Sequence, residues 1–410
     1  MKFSVVTYGT EGDARPFAAL CRALMDAGHE AQLLADAATL GSAKALGVPS
    51  MALAGDIRGA LQSDQAISAV VAKGERFGNT AKALAHIANV NAEAWLRLIV
   101  MASEGCDALI VAGLAAFVGL SAADYLGVRA IGAGMIPITP TVAFASPFLP
   151  PRGLPRWLNR ASHEFVNGML WRAFRKATNT ARSKVCQLPA RAKLWTGHPM
   201  LYGVSPSLFP ALDDWPANAQ LCGQWLMPSP AWSAPTELKD FLAAGEPPVY
   251  IGFGSMAGFD RAKLLREIIK AVAGRRALFY PGWSGVDASL LPDNFLLIGE
   301  TPHDWLFPRT SLVIHHGGSG TTHSAARAGI PSVVVPFAGD QFFWAERLHR
   351  AGAAAPAVNG KHLDAVKLAQ AMAFAQTEQV LAGARALGEK MRAENGLGTT
   401  VSLLEKITEG

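Results

Sequence analysis

Residues His303 to Gly352 read HDWLFPRTSLVIHHGGSGTTHSAARAGIPSVVVPFAGDQFFWAERLHRAG, and this stretch decides the fold. Leu312-Val313-Ile314 is a short apolar run that ends abruptly in His315-His316-Gly317-Gly318-Ser319-Gly320-Thr321-Thr322, the pattern of a parallel strand entering a turn. Three glycines within four positions allow positive φ and close backbone approach. A helix opens at the turn, runs to Arg327 and ends at Ala328-Gly329. Its first N–H groups have no partner within the helix, which makes the turn a ready anion site. Ser319, Thr321 and Thr322 add hydroxyl donors there, and His315 or His316 supplies a further donor to a diphosphate. A second strand, Ser332 to Val335, leads through Pro336-Phe337-Ala338-Gly339 to Asp340 and Gln341. A carboxylate beside a carboxamide offers acceptors and donors to vicinal hydroxyls, the pattern of a pyranose. A phosphate site and a hydroxyl site are therefore expected on adjacent strand ends.

The same strand–helix rhythm runs through the rest of the chain. In the first half, Phe3 to Thr7, Glu30 to Leu34, Ala108 to Ala112 and Val128 to Ile131 read as strands, with helices over Pro16 to Ala27 and about Phe117 to Tyr125. In the second half the strands are Val249 to Gly252, Ala277 to Phe279, Phe295 to Ile298, and the two already given. This alternation predicts α/β architecture with doubly wound sheets. Residues 54–105 and 155–182 read as helical and are expected to cap a ligand site. A stretch rich in Pro, Trp, Ser and Asp marks a link between halves. The expected organisation is a first domain over 1–210, a linker over 211–235, a second domain over 236–395 and a terminal helix over 396–410.

Composition narrows the class. The chain has 410 residues, 50% of them hydrophobic and 17% charged, with a net charge of +5; its pI is near 9.0 and its mean hydropathy +0.20. It is long enough for two cores. The basic balance suits nucleotide diphosphates and a weak attraction to acidic lipid heads, while the lack of a dense Lys/Arg run argues against nucleic acid as a partner. Cys21, Cys106, Cys186 and Cys222 lack metal or paired spacing, as expected of reduced thiols in a cytoplasm. Ala108 to Ala123 is uncharged but too short to span a bilayer, and Ile131 to Pro151 carries five prolines. A cytoplasmic location without a targeting segment is the expectation.

Taken together, HDWLFPR, HHGGSGTT, RAGIPSVVVPF and GDQFFWA closely resemble the donor-binding signature of inverting glycosyltransferases of the UDP-glycosyltransferase superfamily, and most of all the sterol 3-β-glucosyltransferases. Tyr250 to Met256, Leu201 to Pro206 and Cys222 to Trp225 also match the sterol type, so the resemblance covers most of the second half, the link and the first thirty or so residues. It implies a GT-B fold, in which two Rossmann-like doubly wound domains face each other across a cleft. It implies a hexose, glucose from UDP-glucose above all, moved to a hydroxyl of a lipophilic acceptor such as a sterol or triterpenoid, with the UDP-sugar as co-substrate, no other cofactor and no metal. The donor contacts implied are Ser255, Trp283, Pro302, His303, His315, Gly318, Ser319, Gly320, Thr321, Asp340 and Gln341. The acceptor contacts expected are Thr10, Gly12, Met135, Phe144, Phe148 and Trp171.

The base is sought in Gly9-Thr10-Glu11-Gly12-Asp13-Ala14-Arg15-Pro16, the loop after the first strand, at the edge where open α/β sheets bind ligands. Inverting transfer needs a base to take the acceptor's proton. Related transferases carry a histidine or an aspartate in this loop, and Asp13 resembles the aspartate branch, with Glu11 in place of the usual Arg and Ala14-Arg15 in place of a Val-Gln type pair. Near Gly113, where the histidine branch places a second aspartate, this chain has no carboxylate. The competing reading of Asp13 is a cap for a helix beginning at Pro16, and that of Asp340 is likewise a helix cap. Alternatives at the level of function are a macrolide, glycopeptide or flavonoid glycosyltransferase using a UDP- or TDP-sugar, a dinucleotide oxidoreductase, a nucleotide-sugar epimerase, and a catalytically silent partner subunit. The absence of a clear G-x-G-x-x-G after the first strand weighs against the oxidoreductase.

Overall fold

The computed structural model describes residues 1–59, 76–149, 154–227, 232–254, 261–282 and 290–409. Its frame is two parallel sheets. The first contains β1 (Lys2–Val6), β2 (Glu30–Asp36), β3 (Ser50–Leu53), β4 (Ala108–Val111), β5 (Arg129–Gly134), β6 (Met200–Tyr202) and β7 (Ala219–Leu221), in the order β3-β2-β1-β4-β5-β6-β7. The second contains β8 (Val249–Gly252), β9 (Ala277–Tyr280), β10 (Phe295–Leu297), β11 (Leu312–His315) and β12 (Ser332–Val334), in the order β10-β9-β8-β11-β12. Strands such as Ala108–Val111 and Leu312–His315 are buried at every position, because helices cover both faces of each sheet. In the first domain one face packs on the helices Glu11–Asp26 and Gly396–Glu409, and the other on Arg76–Ala102, Ala116–Leu126 and Asn159–Cys186.

Strand order reverses beside β1 in the first sheet and beside β8 in the second. At such a switch point the crossovers diverge and leave a crevice at the carboxyl edge. The turns that follow β1, β8 and β11 are therefore the places where each sheet can hold a ligand, and they are the turns that carry Asp13, Gly254 and His316.

Several expectations need correction. The first helix begins at Glu11, five residues before Pro16, so Asp13 lies within its first turn. The expected cap of helices is a layer on the first sheet: Trp171 and Phe174 are buried there beside Trp95 and Leu96. Within the stretch read as a linker, Ala219–Leu221 pairs in parallel with β6 and belongs to the first sheet. This strand and the equally short β6 are held by their neighbours, and three residues carry no periodicity of their own.

Two joints hold the domains together. Phe144, Tyr202, Val204 and Leu208 of the first pack with Phe343, Trp344, Leu348 and Met391 of the second. Beside them the backbone N–H of Ser205 donates to His323 Nε2 at 3.1 Å, and the Ser205 and Ser207 hydroxyls donate to Glu394 Oε1 at 2.6 and 2.7 Å. The final helix, Gly396–Glu409, returns to the first domain, where Trp225 Nε1 donates to Thr400 Oγ1 at 2.7 Å and His29 Nε2 lies 2.9 Å from Glu405 Oε1. Among the described residues, no helix is long and apolar enough to cross a membrane.

Candidate active site

On the first-domain side, Thr10 caps the helix that opens the site. Its backbone N–H and its hydroxyl both donate to Asp13 Oδ2, at 2.8 and 3.2 Å, and the first of these bonds is the Asp13 half of a capping box. Both bonds fall on one oxygen and leave Oδ1 outside the box. A Cβ on Gly9 would lie 2.3 Å from Asp13 Oδ2, so only glycine lets the loop close over the carboxylate. Burial pushes the Asp13 carboxyl above the usual carboxylate range, and the two Thr10 donors pull it back in part. Gly12 is exposed and Thr10 half-buried at the same edge. Gly113 follows β4 at φ +57, and a Cβ there would lie 2.6 Å from the Tyr8 carbonyl oxygen. The backbone thus has no room at Gly113 for the second carboxylate of the histidine branch.

On the second-domain side, the turn after β11 places the two histidines in different surroundings. His315 is fully buried; its Nδ1 accepts from the Gly317 N–H at 3.2 Å, and its Nε2 has no hydrogen-bond partner. His316 is the half-buried one. Its ring bonds the Gly252 carbonyl, and its Nδ1 has no hydrogen-bond partner. A Cβ on Gly254 or Gly318 would lie 2.9 Å or 2.6 Å from that ring, so the glycine turns after β8 and β11 converge on it. Desolvation pushes His316 down to about 4 and His315 to about 3, and both rings are neutral at pH 7. Gly318 caps the helix Ser319–Ala328, on whose first turn Ser319 and Thr321 are half-buried and Gly320 exposed, while Thr322 is fully buried.

Asp340 precedes the helix Gln341–Arg350, and its side chain makes no cap bond, which removes the helix-cap reading. Its Oδ2 instead accepts from Trp344 Nε1 at 2.9 Å. Burial, opposed by the Trp344 donor and aided by the negative charge of Asp13, raises the Asp340 carboxyl to about 6. The carboxylates of the two domains therefore feel each other across the space between the sheets. Gln341 Oε1 accepts from the N–H groups of Phe337 and Ala338 at 2.8 and 3.1 Å, so the carboxamide oxygen shapes the loop. Gly317 seals the junction: at φ +93 its Cβ would lie 2.9 Å from the Gln341 carbonyl oxygen. The turn after β11 and the start of the helix Gln341–Arg350 are thus in direct backbone contact.

Pro302 and His303 begin the helix His303–Leu306, and the His303 ring stacks on Phe307 at 4.2 Å. Arg15, from the Asp13 helix, pairs with Glu300 just ahead of Pro302, bringing the two domains into contact at this edge. Ser255 and Trp283 lie outside the described residues. Of the expected acceptor contacts, Trp171 is buried against Phe117 and Trp195 with its Nε1 donating to the Ala192 carbonyl, so it is a core residue. Phe144 is 6% exposed within the domain joint, against Phe209 and Phe343. Met135 is half-buried against Trp225 at Gly203, and Phe148 is exposed. Aromatic character alone did not distinguish these packing roles from ligand contact. Sequence reading also passed over Thr10 as a clamp on Asp13, although a Thr three residues before an Asp is the signal of a capping box. Among the described residues no three His, Cys, Asp or Glu side chains converge as a metal-binding group.

Two parallel-sheet domains with their switch-point turns brought together in this way define a GT-B fold. Residues 272–401 match the family described as erythromycin biosynthesis protein CIII-like, C-terminal domain. Over 430 residues the chain is 33% identical to the O-mycaminosyltylonolide 6-deoxyallosyltransferase of Streptomyces fradiae, covering 100% of this chain and 98% of that one. The chain belongs to the same glycosyltransferase family. It is also 31% identical to the sterol 3-beta-glucosyltransferase of Neurospora crassa, over 98% of this chain but only 27% of that much longer protein. Among solved structures, the glycosyltransferase of kitacinnamycin superposes with a TM-score of 0.69 at 18% identity, over 99% of this chain and 98% of that one. The glycosyltransferase VinC in complex with DTDP gives 0.67 at 19% identity over 100% of both chains. These two show the shared fold.

Proposed function

We propose that this glycosyltransferase moves a hexose, glucose from UDP-glucose in the first instance, to a hydroxyl of a lipophilic acceptor such as a sterol or triterpenoid, with inversion and with Asp13 as base. The observation that carries the reading is the placement of Asp13 and Asp340 at helix starts, one in each domain, where the Arg15–Glu300 pair joins the two domains and the charge of Asp13 acts on Asp340. In the reaction the acceptor oxygen bonds to the anomeric carbon as the bond from that carbon to the diphosphate oxygen breaks. The acceptor's proton passes to Asp13, whose burial makes it a stronger base than a free carboxylate. The electron pair leaves with the nucleoside diphosphate, where the helix start at Ser319 and the hydroxyl of Thr321 stabilise the growing charge. Asp340 accepts from the sugar's hydroxyls through the oxygen that Trp344 does not hold.

A second reading has its own support. The Streptomyces relative, whose name specifies a 6-deoxyallosyl group moved to a macrolide derivative, matches along its whole length, whereas the sterol enzyme matches over about a quarter of its own. A TDP-deoxysugar and a macrolide-like acceptor are the alternative pair. Mass-spectrometric product detection tests both, with UDP-glucose and TDP-glucose offered against sterols, triterpenoids, macrolides and flavonoids in the presence of EDTA. A gain of one hexose on a sterol with UDP-glucose supports the first reading, and turnover confined to TDP-glucose and macrolides the second. Asp13→Ala is expected to abolish turnover while calorimetric binding of the nucleoside diphosphate stays near wild type. A comparable loss of that binding removes Asp13 from the role of base.

A further inference from the structure

The helix Asn159–Cys186 packs one side on the first domain, through Val166, Trp171 and Phe174, and turns the other to solvent. On the solvent side Phe165 is 61% and Met169 49% exposed, and Trp157, on the short turn that leads into the helix, is 78% exposed. Successive steps of four, three and four residues place Phe165, Met169, Arg172 and Lys176 along one stripe about 16 Å long, with Arg175 beside it. From 154 to 180 the sequence holds one acidic residue, Glu164, which lies 3.5 Å from Arg160. Arg172, Arg175 and Lys176 form no ion pair among the described residues. Single exposed apolar side chains are ordinary, but an apolar patch rimmed by polar residues marks an interaction surface.

We propose that this stripe, apolar at Trp157, Phe165 and Met169 and cationic at Arg172, Arg175 and Lys176, is a docking surface for an anionic lipid bilayer. Aromatic and aliphatic side chains on one stretch of helix, continued by unpaired Lys and Arg, are the means by which a helix lies in the headgroup layer, and charge complementarity selects acidic lipids. A second copy of the chain fits poorly, because a two-fold contact through this stripe would set its cations against their own copies. The helix also braces the loop after β5. Asn159 donates to the Val142 carbonyl, His163 to that of Phe144 and Asn167 to that of Ile138, at 2.9 to 3.1 Å. That loop continues the carboxyl edge of the first sheet, so docking brings the edge that carries Asp13 toward the lipid from which a lipophilic acceptor would come. The surface stands independently of the transfer chemistry, and its test needs no turnover.

The full chain is to be sedimented with vesicles of pure phosphatidylcholine and of phosphatidylcholine mixed with phosphatidylglycerol, at low and high salt. Binding is expected to the mixed vesicles alone and to weaken with salt. R172Q/R175Q/K176Q is expected to lower partitioning on the order of a hundred-fold, and W157A/F165A by at least about ten-fold. All five positions are exposed, so melting temperatures should match the wild type and separate lost docking from lost folding. Absence of binding, equal binding to neutral vesicles, or full binding by both variants overturns the proposal. So does concentration-dependent self-association that W157A/F165A abolishes in place of vesicle binding.

Discussion

Asp340 shows how one donor tunes a buried carboxylate. Desolvation and the charge of Asp13 hold its carboxyl up at about 6, while the Trp344 indole N–H pulls it down. Only the ionised form accepts hydroxyl donors at both oxygens, so affinity for the sugar donor should rise as pH increases through about 6. Trp344→Phe removes the opposing donor, and the midpoint of that rise is expected to move to higher pH. Trp344 is fully buried, and the smaller ring also leaves a cavity costing about 1–3 kcal/mol. Calorimetric titration of the nucleotide sugar at several pH values separates the two effects. The cavity lowers stability at every pH, whereas the indole bond matters most near pH 6–7 and little once Asp340 is ionised in both proteins. A loss of affinity that is the same at pH 6.5 and pH 8.5 rejects this role for Trp344.

At the scale of elements, the turns after β8 and β11 act as one unit because both press on the His316 ring. Gly318 has φ −64 and ψ 144, a conformation that alanine adopts without strain, so Gly318→Ala changes little except the space beside that ring. The substitution is expected to displace His316 and weaken binding of UDP or TDP at least about ten-fold, the equivalent of one lost hydrogen bond to a charged group, with an unchanged melting temperature. Intact nucleotide binding in the variant takes His316 out of the phosphate site. The strand, glycine turn and helix of this unit were legible in the sequence because each announces itself locally, through an apolar run, positive-φ residues and an open helix start. The difference in burial between His315 and His316 was not, since it depends on which ring the neighbouring β8 turn reaches. Gly9-Thr10 hides the same kind of information. The capping box that starts the helix at Glu11 overrides the start suggested by Pro16, which stands inside the helix, where its missing N–H forfeits one intrahelical bond. Trp171 and Phe144 have the composition of ligand contacts, and only the tertiary packing of Trp195 and Phe343 against them assigns them to cores.

Across the whole molecule, the buried titratable groups set a direction for acid stability. His303, His316 and His323 are pushed down to about 4 and His315 to about 3, each mainly by desolvation. Burial lowers His163 and His198 as well. A histidine depressed in the fold contributes stability that is complete above its unfolded value of about 6.5 and is lost as pH falls toward its folded value. The raised carboxyls work in the opposite sense. Asp340, and with it Asp13 and Glu11, contribute stability that is present below their unfolded values and is lost as pH rises through the folded ones. Near pH 5 the depressed histidines outnumber the raised carboxyls, so unfolding takes up protons net and stability falls as pH falls. Scanning calorimetry is therefore expected to give a nearly constant melting temperature from pH 8 to 7 and a steep fall between pH 6.5 and 4.5. His323 contributes at the domain joint in particular, because a proton on its Nε2 removes the acceptor for the Ser205 N–H. In His323→Gln the carboxamide oxygen can accept from Ser205 without titrating, so this variant should lose less stability between pH 6.5 and 5 than the wild type. An unchanged acid slope in His323→Gln would show that the joint opens for another reason, and a flat melting curve down to pH 5 in the parent chain would contradict the neutral, buried state of these histidines altogether.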